Sequence, residues 1–190
     1  EAKIDELELD LPVNNDLSVL RKPLDAGPFR LPNRLAIHPM EGCDGTPSGA
    51  PSDLVFRRYR RFASGGAGLF WFEATAVVPE ARANPRQLWI HERTADECAR
   101  LLDESHRAAR ESMGSDHRPI TVLQLTHSGR QSKPVAKPEP IIAHHSEVLD
   151  PQHKLPKDYP VISDAELDRL QDRYVEAARL AQKAGFDAVD

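Results

Sequence analysis

Arg34-Leu-Ala-Ile-His-Pro-Met-Glu-Gly-Cys-Asp-Gly45 is the stretch on which the fold turns. It starts as a short apolar run, breaks at Pro39 and opens into a loop holding Gly42, Gly45, Pro47 and Gly49. An apolar strand that runs straight into a Pro/Gly loop is how α/β proteins bring backbone to the carboxyl end of a sheet. Gly68-Leu-Phe-Trp-Phe-Glu-Ala-Thr-Ala-Val77 and Ile120-Thr-Val-Leu-Gln-Leu-Thr-His-Ser-Gly-Arg130 repeat the design.

Between these stretches the periodicity changes to helical. The first strand is expected from Arg34 to Met40, covered on both faces because Leu35, Ala36 and Ile37 are continuously apolar. Ser52 and Asp53 cap a following helix, on which Leu54, Val55, Tyr59, Phe62 and Ala63 form the apolar stripe. Ser64-Gly-Gly-Ala-Gly68 stops that helix with a left-handed C-cap. It precedes a strand, whereas a phosphate cradle follows one and opens a helix, so a helix stop is the better reading. Strand two is predicted over Leu69–Val77, and a helix over Thr94–Met113 buries Ala95, Cys98, Ala99, Leu102, Ser105 and Ala109. Strand three runs from Ile120 to Leu125. Ser163-Asp-Ala-Glu166 is a capping box that opens a third helix. Gly185 ends it, and Phe186–Asp190 begins a fourth strand.

Three strand–helix units followed by a strand predict a parallel sheet with right-handed crossovers. The expected class is α/β, a (β/α)8 TIM barrel, of which this chain covers roughly strands 1–4. A complete barrel takes about 250 residues, against 190 here, so a piece of a longer protein is expected. Residues 1–20 read as an N-terminal extension with a turn at Pro12-Val-Asn-Asn-Asp16. Residues 21–190 read as the first half of one barrel, entered through a hairpin between Leu20 and Leu31. Residues 131–163 hold six prolines and three histidines, and a long irregular segment in a compact domain suits a lid or substrate loop. Adjacent His144 and His145 would point apart on an extended chain, so they read as loop histidines rather than metal ligands.

Composition narrows the function. A net charge of −5 argues against a nucleic-acid surface. The one basic run, Arg57-Arg-Tyr-Arg-Arg61, reads as a solvated helix flank. Cys43 and Cys98 make neither a disulfide framework nor a metal site. No apolar stretch is long enough to span a bilayer and no secretory signal is visible, so a cytoplasmic, membrane-free protein is expected.

The motifs taken together are specific where each alone is not. Leu31-Pro-Asn-Arg34 with Pro39-Met40, Gly65-Gly-Ala-Gly-Leu69 with Glu73-Ala-Thr-Ala-Val77, Gln124-Leu-Thr-His-Ser-Gly-Arg130 and Ala184-Gly-Phe-Asp-Ala-Val-Asp190 occur in order at four strand ends. In this they resemble the old yellow enzyme family of flavin oxidoreductases, over residues 20–190. The resemblance implies FMN at the carboxyl end of the barrel. NAD(P)H acts as reductant and hydride passes to a small-molecule substrate, an activated alkene of the enone type. It leaves open an amine demethylase, a dienoyl thioester reductase or a non-catalytic binding and scaffold module, and it is compatible with a homo-oligomer. By resemblance His38, Pro39, Met40 and Glu41 lie along the flavin mostly through backbone. Ala74 lies near it, and Gln124 bonds the pyrimidine edge of the ring. His127 reads as structural, and Arg130 as partner to a carboxylate across the barrel. The resemblance assigns no catalytic residue here: the proton donor, the substrate-binding histidines and the phosphate-binding residues are expected beyond Asp190, leaving this stretch inactive alone. Glu41 departs from the small Thr or Cys usual after Pro-Met. Its carboxylate is expected to lower the flavin potential or alter substrate preference, and His38 likewise replaces a small residue. Cys43 lies near where some relatives carry a substrate-facing Tyr and reads as an inert loop thiol, with a reactive thiol as the alternative.

Overall fold

The computed structural model describes residues 2–10 and 14–190. Two short helices, α1 (Ala2–Glu6) and α2 (Ser18–Arg21), lie in the N-terminal stretch. The turn expected at Pro12–Asp16 lies partly outside the described residues. Next come β1 (Leu24–Ala26) and β2 (Phe29–Leu31), the antiparallel hairpin anticipated from the Gly/Pro pattern, with Gly27 at φ +58° in its turn. The main sheet is built from β3 (Ala36–Ile37), β4 (Leu69–Ala76), β5 (Ile120–Thr126) and β6 (Ala188–Val189), in that spatial order and all parallel. The connecting helices are α3 (Asp53–Ser64), α4 (Ala95–Met113) and α6 (Asp164–Ala184), while α5 (Leu149–Gln152) is a single turn in the long loop.

The helices cover one face of the sheet. Phe70, Phe72, Leu123 and Leu125 are buried on that face with Val55, Tyr59 and Ala63 of α3, with Cys98, Leu101 and Leu102 of α4, and with Ala177 and Ala181 of α6. The Tyr59 ring stacks on Phe72 at 4.4 Å, and Phe186 meets Phe72 edge-on at 5.0 Å. Aromatic pairs of this geometry add to the stabilisation from area burial alone. On the opposite face Leu69, Trp71, Val122 and Gln124 are only half-buried.

Several local expectations are corrected. The first strand is two residues long rather than seven, and Leu35 is 42% exposed. Among the described residues β3 pairs with β4 alone, over Ala36 and Ile37. Leu54 is 48% exposed, and Phe56 takes its place in the buried stripe of α3. Gly65 caps α3 in the right-handed region, and the left-handed residue is Gly66 at φ +76°. Ala99 of α4 is half-buried while Leu101 and Ala108 are buried, a small rotation of the predicted face. The capping box of α6 is present in both directions between Ser163 and Glu166, and Gly185 closes that helix at φ +101°.

At the amino ends of the strands Asp187 accepts hydrogen bonds from the backbone N–H and Oγ of Thr121, each at 2.9 Å, and pairs with Arg118 at 2.7 Å. Desolvation pushes the Asp187 carboxyl up, but the Arg118 and Thr121 bonds outweigh it and hold it below the ordinary range. A carboxyl whose pKa is depressed by folding adds stability above its unfolded pKa and loses it as pH falls through the folded one. The contribution of Asp187 should therefore be lost progressively as pH falls below about 4. Urea denaturation of Asp187→Asn should show a shallower pH dependence there and lower stability at neutral pH.

Candidate functional site

Strand register brings the predicted residues to one level. Phe72 of β4 is opposite Leu123 of β5 and Thr75 is opposite Leu125, so Glu73 and Ala74 together face Gln124. Two residues against one is a β-bulge. Ile37 aligns with Phe70, and beyond β3 the Gly42 N–H reaches Glu73 while Glu41 and the Ala74 carbonyl share Gln87, which brings the loop after β3 to the end of β4. On the other side Asp190 hydrogen-bonds across to Leu123 and Leu125, level with Gln124. One row across the carboxyl ends therefore carries Met40 and Glu41, then Glu73 and Ala74, then Gln124, then Asp190.

The bulge gives its two residues different surroundings. Glu73, 1% exposed, meets α3: Arg58 Nη2 donates to its Oε1 at 2.8 Å, and the Gly42 backbone N–H donates to its Oε2 at 3.2 Å. Its own backbone N–H donates to the Tyr59 hydroxyl at 2.7 Å. Arg58 Nη2 also bonds Asp44 Oδ1 at 2.7 Å. Burial pushes the Glu73 carboxyl up against the pull of Arg58, while Asp44 and Glu73 hold Arg58 in its charged form despite desolvation. The expectation of a solvated arginine flank is thus corrected at Arg58. It sits between Val55 and Phe62 on the inward stripe and neutralises a carboxylate inside the sheet layer. Arg57, Arg60 and Arg61 are exposed as expected.

Ala74 is half-buried, and its carbonyl accepts from Gln87 Nε2 at 3.1 Å. The same nitrogen donates to Glu41 Oε1 at 3.2 Å, and Gln87 Oε1 accepts from the Ala83 backbone N–H at 2.6 Å. Asn84 Nδ2 donates to Glu41 Oε2 at 3.2 Å and approaches Cys43 Sγ at 3.3 Å. The segment carrying Gln87 is stitched in on both sides. The Gly45 N–H bonds Arg86 O, the Trp89 N–H bonds Gly49 O, and Ala76 exchanges bonds with Leu88 and Ile90. Gly49 sits at φ +86° with its Cα against Trp89, where a Cβ would come within 2.7 Å of the Trp89 Cβ.

Of the predicted residues, then, Glu41 and Ala74 are joined through Gln87. Gln124, half-buried, donates its Nε2 to Asp190 Oδ2 at 3.1 Å, and its Oε1 makes no hydrogen bond among the described residues. Met40 is 75% exposed, with its N–H closing a tight turn to the His38 carbonyl at 2.8 Å. His38 is exposed and Pro39 half-buried. Desolvation, then the Glu41 and Glu73 carboxylates, push the Cys43 thiol up. That leaves little thiolate and a weak nucleophile.

His127 accepts from the Gly129 N–H through Nδ1 at 3.0 Å, a local structural role. Arg130 does pair with a carboxylate, but with Asp150 of the long loop rather than one across the barrel. It also bonds the His144 carbonyl at 2.8 Å, and His145 Nδ1 lies 2.8 Å from Asp150 Oδ2. The proline-rich loop is thereby fastened to the end of β5. Among the described residues no group of three or more His, Cys, Asp or Glu side chains is placed to hold a metal ion, and no helix is long and apolar enough to cross a membrane.

Sequence reasoning missed Glu73, Arg58, Gln87 and Asn84. Glu73 carried a signal, because a carboxylate inside an apolar strand raises the same demand for partners as the Gln124 amide. Arg58, one position from Tyr59 on the buried stripe, carried a second. Gln87 and Asn84 lie in a loop where no periodicity marks which side chain turns inward.

A model of the NADH:flavin oxidoreductase / NADH oxidase family matches residues 19–190. An NADPH dehydrogenase of Geobacillus thermodenitrificans is 28% identical over 91% of this chain and 47% of its own length. That of Bacillus pumilus is 32% identical over 84% of this chain and 44% of its own. The solved old yellow enzyme homologue from Zymomonas mobilis superposes with a TM-score of 0.68 at 25% identity, over 90% of this chain and 47% of that one. The chain spans about half the length of the curated relatives it matches. Its fold is the first half of a (β/α)8 barrel, through the fourth strand.

Replacing Arg58 by Met leaves Glu73 and Asp44 without their cation and should cost about 3–5 kcal/mol in urea denaturation. Combining it with Glu73→Gln should recover part of that loss.

Proposed function

The chain belongs to the NADH:flavin oxidoreductase / NADH oxidase family, and from that premise we propose that it forms part of an FMN-dependent oxidoreductase. Its reductant is NAD(P)H, and its substrate is a small molecule with an activated, enone-type double bond. The observation that carries this reading is the row of polar groups at one level of the carboxyl ends of β3, β4 and β5.

Those groups suit the flat, amide-edged ring of FMN. Gln124 presents an acceptor with no partner among the described residues beside a donor held by Asp190. An amide matches the alternating donors and acceptors of a pyrimidine edge. Ala74 offers a small side chain on the half-buried face, leaving room for a ring to lie close. The turn at His38–Met40 brings backbone to the same level. His38, Pro39, Met40, Glu41, Ala74 and Gln124 are the residues that would line the ring. Bound FMN would supply hydride transfer between the nicotinamide and the substrate. This chain orients the ring through Gln124 and spaces it with Ala74. Glu41 presents a carboxylate that opposes negative charge building on the ring.

The test is made on the complete protein. It should purify yellow, with flavin absorbance that NADPH bleaches and that an enone restores. A colourless protein that takes up no added FMN would sink the proposal. Gln124→Leu should weaken FMN binding about tenfold, the worth of one net hydrogen bond. Glu41→Thr should raise the flavin potential in redox titration, and an unchanged potential would remove the carboxylate from the account.

A further inference from the structure

Gln87 is among the largest fully buried side chains of the molecule, at 1% exposure, yet it lies in a loop and not in a strand or helix. A buried primary amide is costly unless its donors and acceptor are used. Here Nε2 serves both the Ala74 carbonyl and Glu41 Oε1, and Oε1 takes the Ala83 N–H. Three segments of chain thus meet on one side chain: the loop after β3, the bulge of β4 and the loop after β4. Asn84 adds the second half of the grip, donating Nδ2 to Glu41 Oε2 while its Oδ1 accepts from the Arg86 N–H at 2.9 Å. Both carboxylate oxygens of Glu41 therefore face amide N–H groups of one short segment. The carboxylate stands one amide away from the Ala74 carbonyl, at the level of Gln124.

Resting on the flavin reading above, we propose that Gln87 is a positioning residue of this site. With Asn84 it fixes the Glu41 carboxylate at the strand ends, beside the position proposed for the ring, and sets the pH at which Glu41 takes up a proton. The charged and titratable groups facing Glu41 are Glu73 of β4, Arg58 of α3, and Asp44 and Cys43 of its own loop. Arg58 is committed to Asp44 and Glu73, so no cation is assigned to Glu41. Desolvation and the Glu73 charge push the Glu41 carboxyl up, and the Asn84 bond pulls it down. The amide donors at 84 and 87 favour the ionised form, because a hydrogen bond to a carboxylate stabilises the charge it accepts from. Removing either donor must then shift protonation of Glu41 to higher pH.

The experiment follows the visible circular dichroism of bound FMN in the complete protein as a function of pH. The wild type should show a transition that Glu41→Gln abolishes. Gln87→Met should move its midpoint upward by about one pH unit, the equivalent of one hydrogen bond to a charged group. Asn84→Ala should move it in the same direction. Asn84 is only half-buried, so that variant keeps the test open if Gln87→Met fails to accumulate. A purely structural role for Gln87 would loosen FMN without moving the midpoint. A yellow protein whose flavin signal is unchanged by pH, or whose midpoint is the same in the variants, overturns this proposal alone. A protein that takes up no FMN overturns the flavin reading with it.

Discussion

A carboxylate buried in the layer between a sheet and its helices must find a cation and hydrogen-bond donors, and Glu73 imposes that demand on everything around it. Arg58 reaches it from α3, the Gly42 N–H from the loop after β3, and Asp44 shares the guanidinium. An ion pair of this kind is weak as a source of net stability, since desolvation offsets much of the attraction. Its effect is on arrangement. With one partner missing the other is a buried, uncompensated charge, so the loop after β3 and the helix that follows it are held to one alignment with β4. The bulge is part of the same solution. It lets Glu73 join Phe72 on the helix side and leaves Ala74 as the small residue at the strand ends.

The asymmetry of the sheet explains much of the remainder. One face is filled by Phe70, Phe72, Leu123 and Leu125 against three helices. The other face, with Trp71, Val122 and Gln124, is half-buried. β4 and β5, paired on both sides, are eight and seven residues long, while the outer strands β3 and β6 have two each. The ladder between β3 and β4 stops at Ile37, two residues before Pro39, which has no backbone N–H to offer, although the apolar run before it is continuous.

That difference marks the boundary of what the amino-acid sequence made legible. Helix limits came through within a residue or so because their signals are local: Ser52, the Ser163–Glu166 capping box and Gly185 each act within a few positions of themselves. The strand order followed from the alternation of periodicities, and the motif resemblance assigned the strand ends. The burial of Arg58 depends on Glu73, fifteen residues away, and on Asp44, fourteen residues away. Gln87 depends on Glu41, forty-six residues distant. Pairings of that range leave no period to read. For Arg58 the one available signal is Glu73, a carboxylate inside an apolar strand that must find partners.

The two networks at the strand ends meet at the loop after β3. Glu73 takes the Gly42 N–H, and the neighbouring Glu41 carboxylate is taken by Gln87 and Asn84. Adjacent residues are thus tied to different partners, one in the sheet–helix layer and one in the loop after β4. A loop fastened at a single point could pivot about it; fastened at two consecutive residues, it has little freedom left to lose. Ordering a flexible loop on binding would cost conformational entropy for each residue immobilised. Here part of that ordering is met within the fold, by the buried Glu73 and Gln87, whose polar groups must be satisfied in any case. The backbone around Glu41 and Ala74 is thereby held by contacts internal to the fold. The same economy explains why so exposed a segment, with Met40 largely open to solvent, needs no apolar packing of its own to hold its shape.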